Sequence, residues 1–102
     1  MALDFAVLTE DGEDADIVSL EMEDHDELMN LATELRLPKL LRFKYYFEEV
    51  DLRVPELAEL AEELGILSKS VPPPEIAEFA RDLRTLISLA ISRRQPLSAV
   101  PD

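Results

Sequence analysis

The chain has no cysteine, a single histidine and only two glycines. Without cysteine it can form no disulfide, offer no thiolate nucleophile and hold no Cys-ligated metal, which suits a reducing cytoplasm. With His25 as the sole histidine, a metal site built on several imidazoles is excluded. A Ser-His-Asp triad would have to use His25 with one of six scattered serines, none of them in a Gly-x-Ser-x-Gly turn. Gly12 and Gly65 stand alone, so no Gly-rich loop is present to cradle a phosphate. Charge breaks every apolar run well short of the ~20 residues that a membrane-spanning helix needs. The opening Met1 to Leu8 carries no basic stretch of secretory type. The expectation is a cytoplasmic chain with no membrane partner, no cofactor and no metal.

The most telling absence is that of positive charge. Residues 1–35 contain no Lys or Arg but twelve carboxylates: Asp4, Glu10, Asp11, Glu13, Asp14, Asp16, Glu21, Glu23, Asp24, Asp26, Glu27 and Glu34. Residues 36–53 set five basic against three acidic side chains, and 54–102 five against eight. The net charge of −13 is therefore concentrated at one end of the sequence. A one-signed field lowers stability through self-repulsion and speeds encounter with a partner of opposite charge. It is repelled by nucleic-acid phosphate and by anionic lipid. A basic protein partner is expected, and direct nucleic-acid binding is not.

Hydrophobic residues make up 47% of the chain, enough for a globular core. A chain of 102 residues fits a single domain, residues 1–102, with little room for a deep catalytic cleft. Residues 2–8 alternate, with Leu3, Phe5 and Val7 on one face, and residues 16–22 alternate again around Val18, Leu20 and Met22. The acidic stretch between them makes this a hairpin. Asp24, with Glu27 three residues on, resembles a capping box for a helix carrying Leu28, Leu31, Ala32 and Leu35. Pro38 to about Phe47 reads as a second helix, and residues 48–54 as a connection. Pro55 and Gly65 frame a third helix, with Leu57, Leu60, Ala61 and Leu64 inward and Glu56, Glu59, Glu62 and Glu63 toward water. Residues 68–74, with three consecutive prolines, read as an extended linker. Ile76, Phe79, Ala80, Leu83, Ile87, Ala90 and Ile91 then follow helical spacing over several turns. Pro96 stops this fourth helix, and residues 97–100 read either as a short last strand returning to the hairpin or as tail. Strands first and helices after predict an α+β fold: a small antiparallel sheet with about four helices on one face.

Candidate sites follow from charge and aromatics. The stretch Glu10 to Asp16 fails as a calcium loop. Counted from Glu10, the position that needs Gly is Ala15; counted from Asp11, Gly12 comes second. Paired carboxylates on so acidic a surface carry no specific sign of acid–base catalysis. His25 is expected to be solvated in the first turn of its helix. Arg42 to Phe47 interleaves base and aromatic; Phe43 and Phe47 are assigned to the core, with Lys44 balancing nearby acids. Tyr45 and Tyr46 point about 100° apart on a helix, so one of them is left exposed as an interface anchor. The expected partner-binding set is Glu10, Asp11, Glu13, Asp14, Asp16, Glu21, Glu23, Asp26, Tyr45, Tyr46, Glu48, Glu49 and Asp51, with no catalytic residue. The strand at 16–22 is expected to lie at a sheet edge. It could pair with a copy of itself against like-charge repulsion, so both monomer and homodimer stay open.

The chain resembles the small acidic immunity proteins that bacteria pair with polymorphic or type VI-secreted toxins. The likeness lies in layout: Leu3-Asp4-Phe5 opening a strand, the acidic turn, His25-Asp26-Glu27-Leu28 starting a helix, Arg42-Phe43 followed by Tyr45-Tyr46, and a closing segment that ends in Pro101-Asp102. The resemblance implies an antidote that covers the basic active site of a cognate toxin and needs neither cofactor nor turnover. The alternative is an acidic adaptor, secretion chaperone or regulatory module for a basic protein. A nucleic-acid mimic and a small enzyme stand behind both.

Overall fold

The computed structural model describes residues 2–101, and within them strands β1 (Ala2–Leu8) and β2 (Ala15–Glu21) form the expected antiparallel hairpin. Gly12, at φ 73°, supplies the left-handed residue of its turn. Helix α1 (Met22–Leu35) follows at once. It is capped by Glu21 without a side-chain bond, so Asp24 lies inside the helix and is not its cap. Then come strand β3 (Val50–Leu52), helices α2 (Val54–Lys69) and α3 (Pro74–Arg93), and strand β4 (Leu97–Pro101). The sheet order is β2-β1-β4-β3, antiparallel throughout.

Alternation sets the two faces. Leu3, Phe5, Val7, Leu20, Leu52, Leu97 and Ala99 point to the helical side and are buried. Leu8, Ile17 and Val100 stand on the other side and are exposed. All three helices therefore cover one face. Phe5, in the inner strand β1, meets Phe43 and Phe79 edge-on, with ring centroids 5.0 and 5.3 Å apart. Such pairs add about 1 kcal/mol each beyond their burial. Helix α3 lays Ile76, Phe79, Ala80, Leu83, Leu86, Ile87 and Ala90 against this core. Ile91 falls outside the stripe and is exposed.

There are three α-helices among the described residues, not about four. Residues 38–47 form only one 3-10 turn, Leu40–Phe43. Its two ends are held by side chains from other helices. Pro38 has no N–H, so Lys39 and Leu40 carry the first donors of the turn. Glu63 of α2 accepts both, at 3.0 and 2.9 Å. At the far end His25 of α1 bonds the Phe43 carbonyl at 2.7 Å. That carbonyl would accept the N–H of Phe47 in a continuing α-helix. The carbonyl only accepts, so His25 carries a proton on Nε2.

Five other expectations change. His25 (3% exposed) and Glu63 (8%) are buried, not solvated, because each satisfies backbone groups of the turn. Phe47 is 65% exposed, because chain beyond Phe43 is no longer helical. Helix α2 runs through Gly65, because Leu67 continues the buried stripe of Leu57, Leu60 and Leu64. Residues 48–54 include β3, whose two inward residues, Val50 and Leu52, are too few to show as alternation.

Replacing Glu63 with Ala should strand two backbone donors and lower stability by about 3 kcal/mol. Urea unfolding would measure this, with the exposed Glu62→Ala as a control; equal losses for the two would refute the clamp. Gly65 has open space around it, with only an Arg84 nitrogen at 4.0 Å from a built Cβ. Gly65→Ala should therefore stabilise the chain by about 0.5–1 kcal/mol in the same assay.

Candidate partner-binding surface

The basic side chains that do find acids find them mostly away from the N-terminal half of the chain. Lys39 lies 3.7 Å from Glu56 and 3.5 Å from Glu59, and Arg42 lies 3.2 Å from Glu56. Arg81 sits by Asp82 at 3.7 Å, and Arg93 reaches Asp16 at 2.7 Å. The backbone N–H of Arg53, helped by Arg42 and Lys39, holds the Glu56 carboxyl below the usual carboxylate range. Of the twelve N-terminal acids, Asp16 alone pairs with a Lys or Arg among the described residues. The only other charge contact of this group among the described residues is His25 to Asp26, at 4.0 Å.

The predicted acids divide into two groups along β2. Glu10, Asp11, Glu13 and Asp14 form the hairpin loop at one end of the sheet. Asp11 has a local task there: its Oδ1 accepts the Thr9 hydroxyl and the Glu13 N–H at 3.0 Å. These bonds, the Thr9 hydroxyl first, hold its carboxyl below the usual range. Asp14 accepts the N–H of Ala15 at 2.8 Å. Glu21, Glu23 and Asp26 stand at the other end of β2, about 20 Å away for a seven-residue strand.

That second end is also where residues 45–49 arrive. Val50 lies opposite Ala99, which lies opposite Phe5 and, across β1, Val18. Glu48 and Glu49 therefore extend toward the Ala2, Pro101 and Glu21 end. Tyr46 is 7% exposed and meets His25 edge-on at 5.1 Å. It belongs to the core, which leaves Tyr45, at 62% exposed and with the Lys44 ammonium 5.8 Å over its ring, as the exposed tyrosine of the pair. Phe47 packs edge-on to Tyr46 at 5.1 Å while its own surface faces solvent. Exposed Met22 begins α1 at the same end. Asp51 stands apart on the open face of β3, opposite Ser98.

Tyr45, Phe47 and Met22 are thus exposed apolar side chains at the end of the sheet that also carries Glu21, Glu23, Asp26, Glu48 and Glu49. Phe47 there packs on buried Tyr46, which meets buried His25, itself bonded to the Phe43 carbonyl. Sequence reading missed Phe47 and Met22 by giving them to core faces. It also missed Glu75, Glu78 and Asp82 of α3, which border the edge of β2 near Glu21 and Asp24. Their spacing of three, then four, was a readable sign of one acidic helix face. Among the described residues no three His, Asp or Glu side chains converge to hold a metal ion, and no helix is long and apolar enough to cross a membrane. Comparison with known proteins finds no matching family, no similar curated protein and no similar solved structure.

The lowered Glu56 carboxyl makes a signed prediction. A group with a depressed folded value adds stability above the ordinary carboxylate range and loses it as pH falls through that range. Glu56→Gln should lower the melting temperature near neutral pH and make little difference in strong acid. A constant gap between the two melting curves from pH 7 to pH 2 would contradict this.

Proposed function

We propose that this chain is a non-catalytic immunity-type protein that binds a basic surface on a cognate protein, a toxin being the favoured partner, and covers it. The observation that carries the reading is the exposure of Tyr45, with Lys44 5.8 Å over its ring, and of Phe47 at an end of the sheet where Glu21, Glu23, Glu48 and Glu49 form no ion pair with Lys or Arg among the described residues. Aromatic anchors supply much of the binding energy of a protein interface, while surrounding charge sets partner choice and association rate. An acidic rim of this kind suits the Lys- and Arg-rich active site of a protein that acts on nucleic acids or nucleotides. A covering protein needs no cofactor and no turnover. The encounter is proposed to take place in the cytoplasm, with which a chain free of cysteine is compatible.

The test is co-expression with the product of the adjacent gene, followed by gel filtration and host growth. A tight one-to-one complex that rescues growth supports an antidote. A complex with no toxicity to relieve supports the adaptor reading instead. For either complex, association should slow about tenfold or more between low and physiological salt. Tyr45→Ala should weaken it at least tenfold, the effect of about 1.4 kcal/mol or more at a central aromatic. An association rate insensitive to salt would remove the charge argument.

A further inference from the structure

β2 is an open edge, and its free backbone groups can be assigned. The Thr9 N–H donates to the Asp14 carbonyl at 3.0 Å, one step beyond the Leu8–Ala15 pair. Bonded and non-bonded pairs alternate in an antiparallel ladder. The bonded pairs are therefore Val7 with Asp16, Phe5 with Val18 and Leu3 with Leu20. The N–H and C=O of Ile17 and Ser19 point away from β1, toward solvent. The Ala15 N–H has the same direction and is taken by the Asp14 carboxylate at 2.8 Å, which agrees with the assignment.

Edge strands are commonly protected by proline, lysine, a bulge or short length. β2 has no proline and no lysine, and pairs with β1 over seven residues in unbroken register. Its protection is negative charge alone. That charge opposes a second copy of this chain, which would bring acid against acid, and it attracts a basic strand. The other edge, β3, is three residues long.

A groove beside this edge gives an added strand somewhere to place its side chains. It has a volume of about 490 Å³ between β2 and α3, with Val18, Leu86 and Leu89 among its lining and Asp16 and Asp82 at its margin. A smaller hollow of about 250 Å³ continues it toward Asp24, Glu75, Glu78 and Phe79. Asp16 and Asp82 already have arginine partners. Glu21, Asp24, Glu75 and Glu78 have no ion pair among the described residues, so the uncompensated charge lies at the end that also carries Tyr45 and Phe47.

We propose that the partner adds an extended basic segment as a fifth strand along β2, bonded to the Ile17 and Ser19 backbone, with apolar side chains in the β2–α3 groove and Lys or Arg side chains against Asp24, Glu75 and Glu78. In strand addition, main-chain bonds give affinity and alternate side-chain pockets give specificity. The inference rests on the reading of a basic protein partner and names how that partner is held.

The probe is a synthetic ten-residue peptide whose alternate, groove-facing positions carry Val over one half and Lys over the other, with Thr between them, and binding is read by fluorescence anisotropy at low salt. Ile17→Pro removes an N–H that the β1–β2 ladder does not use, so the fold should survive while peptide affinity falls at least tenfold. In the unaltered chain, peptide should slow hydrogen exchange at the Ile17 and Ser19 amides at least tenfold, a result independent of how the proline variant folds. Binding with no change at those amides, or with Ile17→Pro equal to the parent, would overturn strand addition in favour of loose charge contact. A dimer of the free chain in sedimentation equilibrium that Ile17→Pro dissolves would overturn the basic occupant in favour of a second copy. If neither the peptide nor the adjacent gene's product binds the parent chain, the partner reading itself falls. If that protein binds while Ile17→Pro has no effect, only strand addition does.

Discussion

Glu63 is a carboxylate placed inside the protein, and the candidate surface depends on why it is there. Burying a charge is costly unless its oxygens are fully bonded. Here both oxygens accept backbone N–H groups, from Lys39 and Leu40, at the start of the 3-10 turn. His25 holds the other end of the same turn through the Phe43 carbonyl. Two helices thus grip one short segment from opposite sides. The grip seats Phe43 against Phe5, ends helical geometry before residue 47 and turns Phe47 outward. An apolar replacement for Glu63 would leave the chain between α1 and β3 without its anchor.

A second constraint is the separation of charge. The basic side chains of residues 36–53 are partly neutralised by the first turns of α2, where Glu56 and Glu59 meet Lys39 and Arg42. The acids of α1's first turn have no such cover, although their position at a helix N-terminus is favourable for the backbone dipole. The acidic field therefore survives folding at one end of the sheet. At the opposite end, Asp11 and Asp14 spend part of their bonding capacity on the shape of the hairpin turn. Two clusters that look alike in composition differ in what is left for a partner.

Much of the fold was legible from local pattern. The hairpin and the long amphipathic α3 announced themselves through a period of two and of 3.6 over enough residues, whereas residues 97–100, too few for a pattern, stood open between strand and tail until β4 showed there. What failed was decided by contacts distant in sequence. Nothing near His25 or Glu63 says that it will bond a backbone eighteen or more residues away. The helix expected over residues 38–47 gave way to that long-range capping, and with it the assignments of Phe47 and Tyr46 changed. Gly65 was read as a stop by composition, although Leu67 two residues on carried the continuing stripe. For the candidate surface, the acids and an exposed tyrosine were readable in sequence; only the registers of β3 against β4 and of β4 against β1 show which acids share an end with Tyr45.

The central claim is that this end, and not the hairpin loop, meets a basic partner. The most direct measurement compares two triple reversals in association rate with the adjacent gene's product. One carries Glu23→Lys, Asp26→Lys and Glu48→Lys; the other carries Asp11→Lys, Glu13→Lys and Asp14→Lys. Both change the net charge equally, so a long-range effect alone would slow them alike. The account predicts a much larger loss for the first set, with a weakened salt dependence. A larger loss for the loop set would contradict it and move the interface to the opposite end of the sheet.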